Sequence, residues 1–413
     1  MKLYFFILFV LLFSFPAYGE DVKSESSGRL RLIDISMDAL FAGGWSTVND
    51  NTLQNIQGGG HDPRKRGFTV QNVELSLTGA VDPYLKGEAH IIYFNDPLTG
   101  ETRTELEEVF ITTLSFPYGL QLEAGHFFTE FGRINPRHPH QWHWQDQPVI
   151  NTRFFGPDGM RGPGFRLGWL MPLPWFSELH IGIHNANGET MASFLASEEF
   201  FDERPIGNRP FVKQEVKALK DFVHLIKMDN SLDLAEDITA KIGISGLYGP
   251  NATGGNGETI IYGADLVLKW RPAEQVRGWP FLILESEIMK RDYKSAAYLD
   301  GSDPENVIDL QEETLKDWGF YAQILYGFMP RWAAGLRYEY ATGSGESIDG
   351  RNNDPFRDDR SRISPLLTWM LTEFSRVRIQ YNYDHADHLP DKEAHSVWLG
   401  IEFMYGVHPA HSF

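Results

Sequence analysis

The segment "SVWLGIEFMYGV" near the C-terminus restricts what this chain can become more than any other. Val397, Leu399, Ile401, Phe403, Tyr405 and Val407 fall on one side of an extended strand, with Trp398, Gly400, Glu402, Met404, Gly406 and His408 on the other. Successive side chains of a strand point to opposite faces, so period-two alternation means one continuous apolar face and one mixed face. "RVRIQYNYD" repeats the pattern, setting Val377, Ile379, Tyr381 and Tyr383 against Arg376, Arg378, Gln380, Asn382 and Asp384. In "WAAGLRYEY" Leu336, Tyr338 and Tyr340 oppose Arg337 and Glu339; in "TIIYGADLVLKW" Ile260, Tyr262, Leu266 and Leu268 oppose Asp265 and Lys269.

Carried along the chain, the pattern predicts strands at 32–42, 67–79, 84–94, 105–116, 119–128, 163–171, 176–185 and 222–234. It continues at 237–248, 258–271, 279–291, 313–328, 331–342, 360–371, 375–386 and 395–407, sixteen in all. Short turns such as "AVDPY", "FPYG", "LAED" and "FMPR" alternate with long polar segments at 43–66, 95–104, 129–162, 186–221, 249–257, 292–312, 342–360 and 386–394. The strand at 222–234 competes with a helix, because Val212, Val216, Leu219, Val223 and Ile226 also suit helical spacing; that helix would cap one end of the molecule.

A soluble sandwich also alternates, so a second feature has to decide. The faces opposite the apolar ones carry Lys86, Glu88, Lys241, Asp265, Lys269, Glu285, Glu287, Arg337, Glu339, Arg376, Arg378 and Glu402. A sandwich would need partner elements to cover the apolar faces of sixteen strands. A closed barrel in lipid turns them to hydrocarbon, lines a wet interior with the charges, and leaves no free edge. Six of the eleven tryptophans (Trp169, Trp175, Trp270, Trp279, Trp332 and Trp369) flank the short turns, as an aromatic girdle at a membrane interface would. The expected fold class is therefore all-β, a 16-stranded antiparallel transmembrane β-barrel with long loops at one end and short turns at the other.

The N-terminal "MKLYFFILFVLLFSFPAYGE" has a Lys2 n-region, an apolar core from Leu3 to Phe15, and a small-residue site at Ala17-Tyr18-Gly19. Residues 1–19 thus read as a cleaved secretory signal, leaving 20–413 as one barrel. With no cysteine, disulfides and thiolate chemistry are excluded. The balance of 37 basic against 56 acidic residues gives a net charge of −19, which argues against nucleic acid as a partner.

In strand number, length and loop plan the chain resembles the 16-stranded porins of the Gram-negative outer membrane, the phosphate-selective porins in particular. The resemblance covers nearly the whole chain and rests on architecture. It implies an outer-membrane location in contact with lipid, periplasmic termini and turns, external loops, small hydrophilic solutes or ions as cargo, and a homotrimer. It also implies that the terminal Phe413 is read by barrel-assembly machinery, although "HPAHSF" trails the last strand. In such porins the third external loop, here 129–162, folds into the lumen and sets the constriction.

That loop contains "RINPRHPHQWHWQDQP", Arg133 to Pro148. His138, His140 and His143, with Asp146 or Asp158, are donors suited to zinc or copper. The spacing matches no closed structural-zinc pattern, and Pro136, Pro139 and Pro148 prevent one helix from aligning the rings. No metal or other cofactor is therefore assigned. The favoured reading is a constriction in which Arg133, Arg137, Arg153 and Arg161, against Asp146 and Asp158, project charge across the lumen. Trp142 and Trp144 would narrow the bore or stack on a solute. "HDPRKR" (61–66) reads as solvated. The acidic wall residues argue against carrying phosphate specificity over from the resemblance.

Other functions fit less well. A barrel hydrolase needs a nucleophile beside a base, and no G-x-S-x-G elbow occurs, although Glu285 and Glu287 share a strand face. A plugged, energy-coupled receptor would need a long domain before the first strand. The expected function is passive diffusion, without enzymatic chemistry.

Overall fold

A computed structural model of the protein describes residues 33–96, 99–302 and 307–406. The expected signal segment and Phe413 lie outside the described residues. Sixteen long strands form one closed antiparallel barrel. They are β1 (Asp34–Ser46), β2 (Gly67–Ala80), β3 (Leu85–Asn95), β4 (Thr102–Thr113), β5 (Leu120–Phe128), β6 (Arg161–Leu170), β7 (Phe176–Asn185) and β8 (Phe222–Ala235). The wall continues through β9 (Ile238–Pro250), β10 (Glu258–Trp270), β11 (Phe281–Ser295), β12 (Glu313–Met329), β13 (Trp332–Ser344), β14 (Arg360–Thr372), β15 (Ser375–Ala386) and β16 (Glu393–Gly406). Each pairs with its chain neighbour, and β1 closes on β16 from Ser36 opposite Gly406 to Ser46 opposite Ser396. A short hairpin, Tyr298–Asp300 with Ile308–Leu310, decorates the loop between β11 and β12.

The polarity of this barrel is inverted relative to a water-soluble core. On β16, Leu399 is 47% and Ile401 49% exposed, whereas Trp398 is 0% and Glu402 4%. Ile379, Leu336 and Tyr338 likewise face out, while Arg337, Glu339 and Arg378 are buried. An outer surface of Ile, Leu, Val and Tyr around an inner surface of Arg, Glu and Asp is stable where the surroundings are hydrocarbon and the interior is polar. At the turn end, Trp332 and Trp369 sit opposite one another on β13 and β14 and stack with ring centroids 5.6 Å apart.

The outward face makes a direct prediction. Leu399→Arg would place a guanidinium on the hydrocarbon side near mid-strand, and is expected to cost about 2–4 kcal/mol at the bilayer midplane. Reversible urea unfolding in lipid vesicles measures it; a cost near zero would mean that this face does not meet lipid.

Two expectations are corrected. The helix that Val212, Val216, Leu219, Val223 and Ile226 could have formed is not found. Residues 209–217 carry no regular structure, a single 3₁₀ turn spans Leu219–Asp221, and β8 begins at Phe222. The reason is the period of two: Ile226 faces out at 57% exposure while Val223, Leu225 and Lys227 face in, which a helix could not provide. The "HDPRKR" stretch is also only partly solvated, because His61 and Asp62 are buried. Asp62 accepts from the Gly59 and Gln147 amides at 2.8 and 2.9 Å.

Candidate functional site

The segment between β5 and β6 does not stay at the rim. From Thr129 to Met160 it enters the barrel, carrying a short helix α1 (Val149–Phe155), and most of its side chains are buried. Its anchors run around the wall. Lys227 of β8 donates to Glu130 at 3.0 Å and to the Gly132 carbonyl at 2.8 Å. Arg137 donates to Glu285 of β11 at 2.9 Å, and the Val149 amide to Glu339 of β13 at 2.6 Å. Trp144 donates through Nε1 to the Ser364 carbonyl of β14 at 2.9 Å. On β15, Arg376 donates to the His140 carbonyl at 2.7 Å and Arg378 to the Trp144 carbonyl at 3.0 Å. Both arginines also hold Glu402 of β16, at 2.7 and 2.9 Å.

Asp146 is the centre of this arrangement. Its Oδ1 takes Arg337 and, at 2.8 Å, Gln380; its Oδ2 takes Asn382 at 2.8 Å, Arg362 at 3.1 Å and Gln57 of the first loop at 3.1 Å. Burial alone would raise this carboxyl's pKa, but Arg337 and Arg362 outweigh it and hold the group well below the usual carboxylate range.

Small residues on the inner wall make room for the loop. A Cβ at Gly400 of β16 would lie 2.0 Å from Gln145 Oε1, and one at Gly335 of β13 would lie 2.9 Å from the Trp144 ring. A larger side chain at Gly400 would have to displace Gln145.

The other expected constriction residues are placed as follows. Arg153 pairs with Asp358 at 2.7 Å, Arg161 with Glu105, and Arg133 approaches Asp265 at 3.9 Å. Asp158 lies against Gly60 of the first loop. These charges are turned to the wall and to neighbouring loops rather than aimed across an open bore. Trp142 and Trp144 are 5% and 1% exposed, with Trp142 Nε1 donating to the Arg137 carbonyl, so stacking on a solute is overturned. The three histidines weighed as donors do not converge on one point. His138 and His140 turn to the wall of β2 to β4, whereas His143 points away from Glu74 into a cavity of about 370 Å³ beside Arg137 and Glu285, whose rim His140 also reaches. Partial burial, with Arg137 and Arg376 close by, pushes the His143 imidazole down to about 4.

That cavity lies on the turn side of the loop. Arg137, Lys269, Arg271 and Arg376 line it against the single carboxylate Glu285. Of the expected wall residues, Lys86 pairs with Glu88 at 2.9 Å and Lys241 with Asp229 of β8 at 3.1 Å. Glu287 and Asp265 are buried on the inner face, Glu287 against the backbone of Gly132.

A closed sixteen-strand barrel, apolar outside and charged inside, has the architecture of outer-membrane porins and channels. Among solved structures, the chain is similar to the outer membrane channel DcaP of Acinetobacter baumannii, with a TM-score of 0.57 and 9% identity, covering 90% of this chain and 97% of that one. It is similar to OprB of Pseudomonas putida at 0.54 and 11%, covering 90% and 94%. An anion-selective porin from Comamonas acidovorans gives 0.53 and 9%, covering 90% and 99%. At these identities the likeness is one of fold. In sequence, an uncharacterized protein of Aquifex aeolicus (strain VF5) is 29% identical over 417 residues, spanning 94% of this chain and 82% of its own. No protein-family model matches the chain.

Proposed function

We propose that the protein is a passive diffusion channel of the outer membrane for small hydrophilic solutes or ions, narrowed by the loop 129–160. The observation that carries this reading is the inverted barrel: lipid-compatible side chains outside, ionisable side chains on the inner wall, and a loop crossing the interior. The printed description of the Comamonas barrel as anion-selective suits the cavity on the turn side, where Lys269 and Arg271 stand beside Arg137, paired with Glu285, and Arg376, paired with Glu402, an excess of positive charge that would draw anions inward. Phosphate selectivity finds less support, because Arg337, Arg362, Arg376 and Arg378 are each engaged by Asp146, Asp384 or Glu402. A hydrolase reading gains nothing from Glu285, which is held by Arg137 and by Gln323, both at 2.9 Å. The porin likeness extends the reading to a homotrimer.

Purified folded protein in planar bilayers is expected to give stepwise conductance, with a reversal potential in a salt gradient of the sign for anion preference. Silent bilayers from folded protein would overturn the channel reading, and a cation-selective potential would overturn the role given to the cavity.

A further inference from the structure

Apart from the Asp146 network, a second group of ionisable side chains joins the loop to the wall. Glu74 of β2 is 1% exposed, and three imidazole nitrogens converge on its carboxylate. Nδ1 of His90 on β3 is 2.9 Å from Oε1; Nδ1 of His138 and Nδ1 of His140 are 3.2 and 3.3 Å from Oε2. Ligand atoms bound to one tetrahedral zinc at about 2.0–2.1 Å lie roughly 3.3 Å from each other, so these separations suit donors around a common centre. Glu107 Oε2, 2.9 Å from His138 Nδ1, adds another carboxylate to the same side.

What stands behind the rings points the same way. Glu108 Oε2 is 2.9 Å from Nε2 of His138 and 4.0 Å from Nε2 of His90. Metal-binding histidines characteristically give their second ring N–H to a carboxylate, which fixes the tautomer and leaves the other nitrogen for the ion. Glu108 is itself fixed, its Oε1 accepting from the Phe128 amide at 2.7 Å. The backbone is shaped for this purpose. Between β3 and β4 the register slips, His90 opposite Glu108 and Ile91 opposite Leu106, so Glu107 is the extra residue of a β-bulge. The bulge turns two consecutive glutamates inward, both buried, while Leu106 and Val109 on either side face out. A second cluster among the described residues, Glu130, His180 and Asp229, differs: Lys227 Nζ lies 3.0 Å from Glu130 and 3.5 Å from Asp229, so that group already holds a cation.

We propose that Glu74, His90 and His138, with His140 and Glu107 alongside, form a site for a divalent cation of the zinc class that clasps the lumen loop to β2 and β3. An imidazole ligates as the neutral ring through Nδ1, with any proton held there passing to water, and the ion offsets the charge of three buried carboxylates. Glu74, His90 and Glu107 come from the wall and His138 and His140 from the loop, so occupancy and loop docking are coupled.

The experiment is zinc binding to the folded, detergent-solubilised full chain, followed by elemental analysis and calorimetry. Stoichiometric zinc is expected in the wild type, with loss in His90→Ala and His138→Ala and retention in His143→Ala. Glu108→Gln leaves the donors intact and is expected to weaken affinity by roughly 10–100-fold. Zinc should also slow tryptic cleavage of the loop in the wild type and not in His90→Ala, whose change lies on the wall. Circular dichroism and heat-modifiable gel mobility establish that each variant is a folded barrel. Folded wild type that retains no zinc, or retention that His90→Ala and His138→Ala leave unchanged, would overturn the site.

Discussion

Deleting residues 135–147 is expected to raise the single-channel conductance several-fold and to broaden its distribution. The deleted stretch supplies the groups that meet β13 to β16, among them Trp144, Gln145 and Asp146, while the flanks 129–134 and 148–160 keep their contacts to β8 and β13. Conductance through a narrow aqueous path is governed by its tightest section, and among the described residues this loop is the segment anchored to the wall on so many sides. The wall would survive the deletion, because its ladders run strand to strand without the loop. Unchanged conductance steps from a correctly folded deletion variant would show that the limiting section lies elsewhere.

Asp146→Ala is expected to have the second-largest effect. It removes the carboxylate that Arg337, Arg362, Gln380, Asn382 and Gln57 share, leaving Arg337 with Glu339 and Arg362 with Asp384. Removing one partner of a buried ion pair costs about 3–5 kcal/mol, chiefly through the charge left behind. The barrel ladders are untouched, so the loss should appear as release of the loop: faster hydrogen exchange across 133–150, new tryptic cleavage after Arg137, and rapid conductance flicker. Because the folded carboxyl titrates below its unfolded value, its stabilisation is present at neutral pH and disappears only as pH falls through that lowered folded value. The wild-type anchor should therefore persist through mild acid, where an ordinary aspartate would already be protonating. A variant whose loop stays as protected as the wild type would remove Asp146 from the centre of the network.

The wall was legible in the sequence because a strand's two faces are written in alternate residues. The sixteen strand positions expected from alternation agree with β1 to β16 to within a few residues, and the 222–234 ambiguity resolves by the same rule. The interior was less legible, since the partners of a loop residue are set by closure and lie far away in sequence. Nothing local to "HQWHWQD" shows that Asp146 will meet Arg337 and Arg362, or that Gly335 and Gly400 are small to admit Trp144 and Gln145. His138, His140 and His143 are near one another along the chain, but only the first two reach Glu74. One signal was present: in "TRTELEEVFITT" the adjacent Glu107 and Glu108 break the alternation, the mark of a bulge rather than of a misplaced strand.

The seam between β1 and β16 joins residues such as Ser46 and Ser396, 350 positions apart. The first strand to be made thus waits for the last before its outer edge finds a neighbour, and that long closure carries an entropic cost repaid only once the circle is complete. A chain shortened by its final strand would lose more than one stave of sixteen. It would expose two raw edges at once, each a template for pairing with another molecule. Completion of the ring is in this sense a single late event on which the integrity of every earlier strand depends.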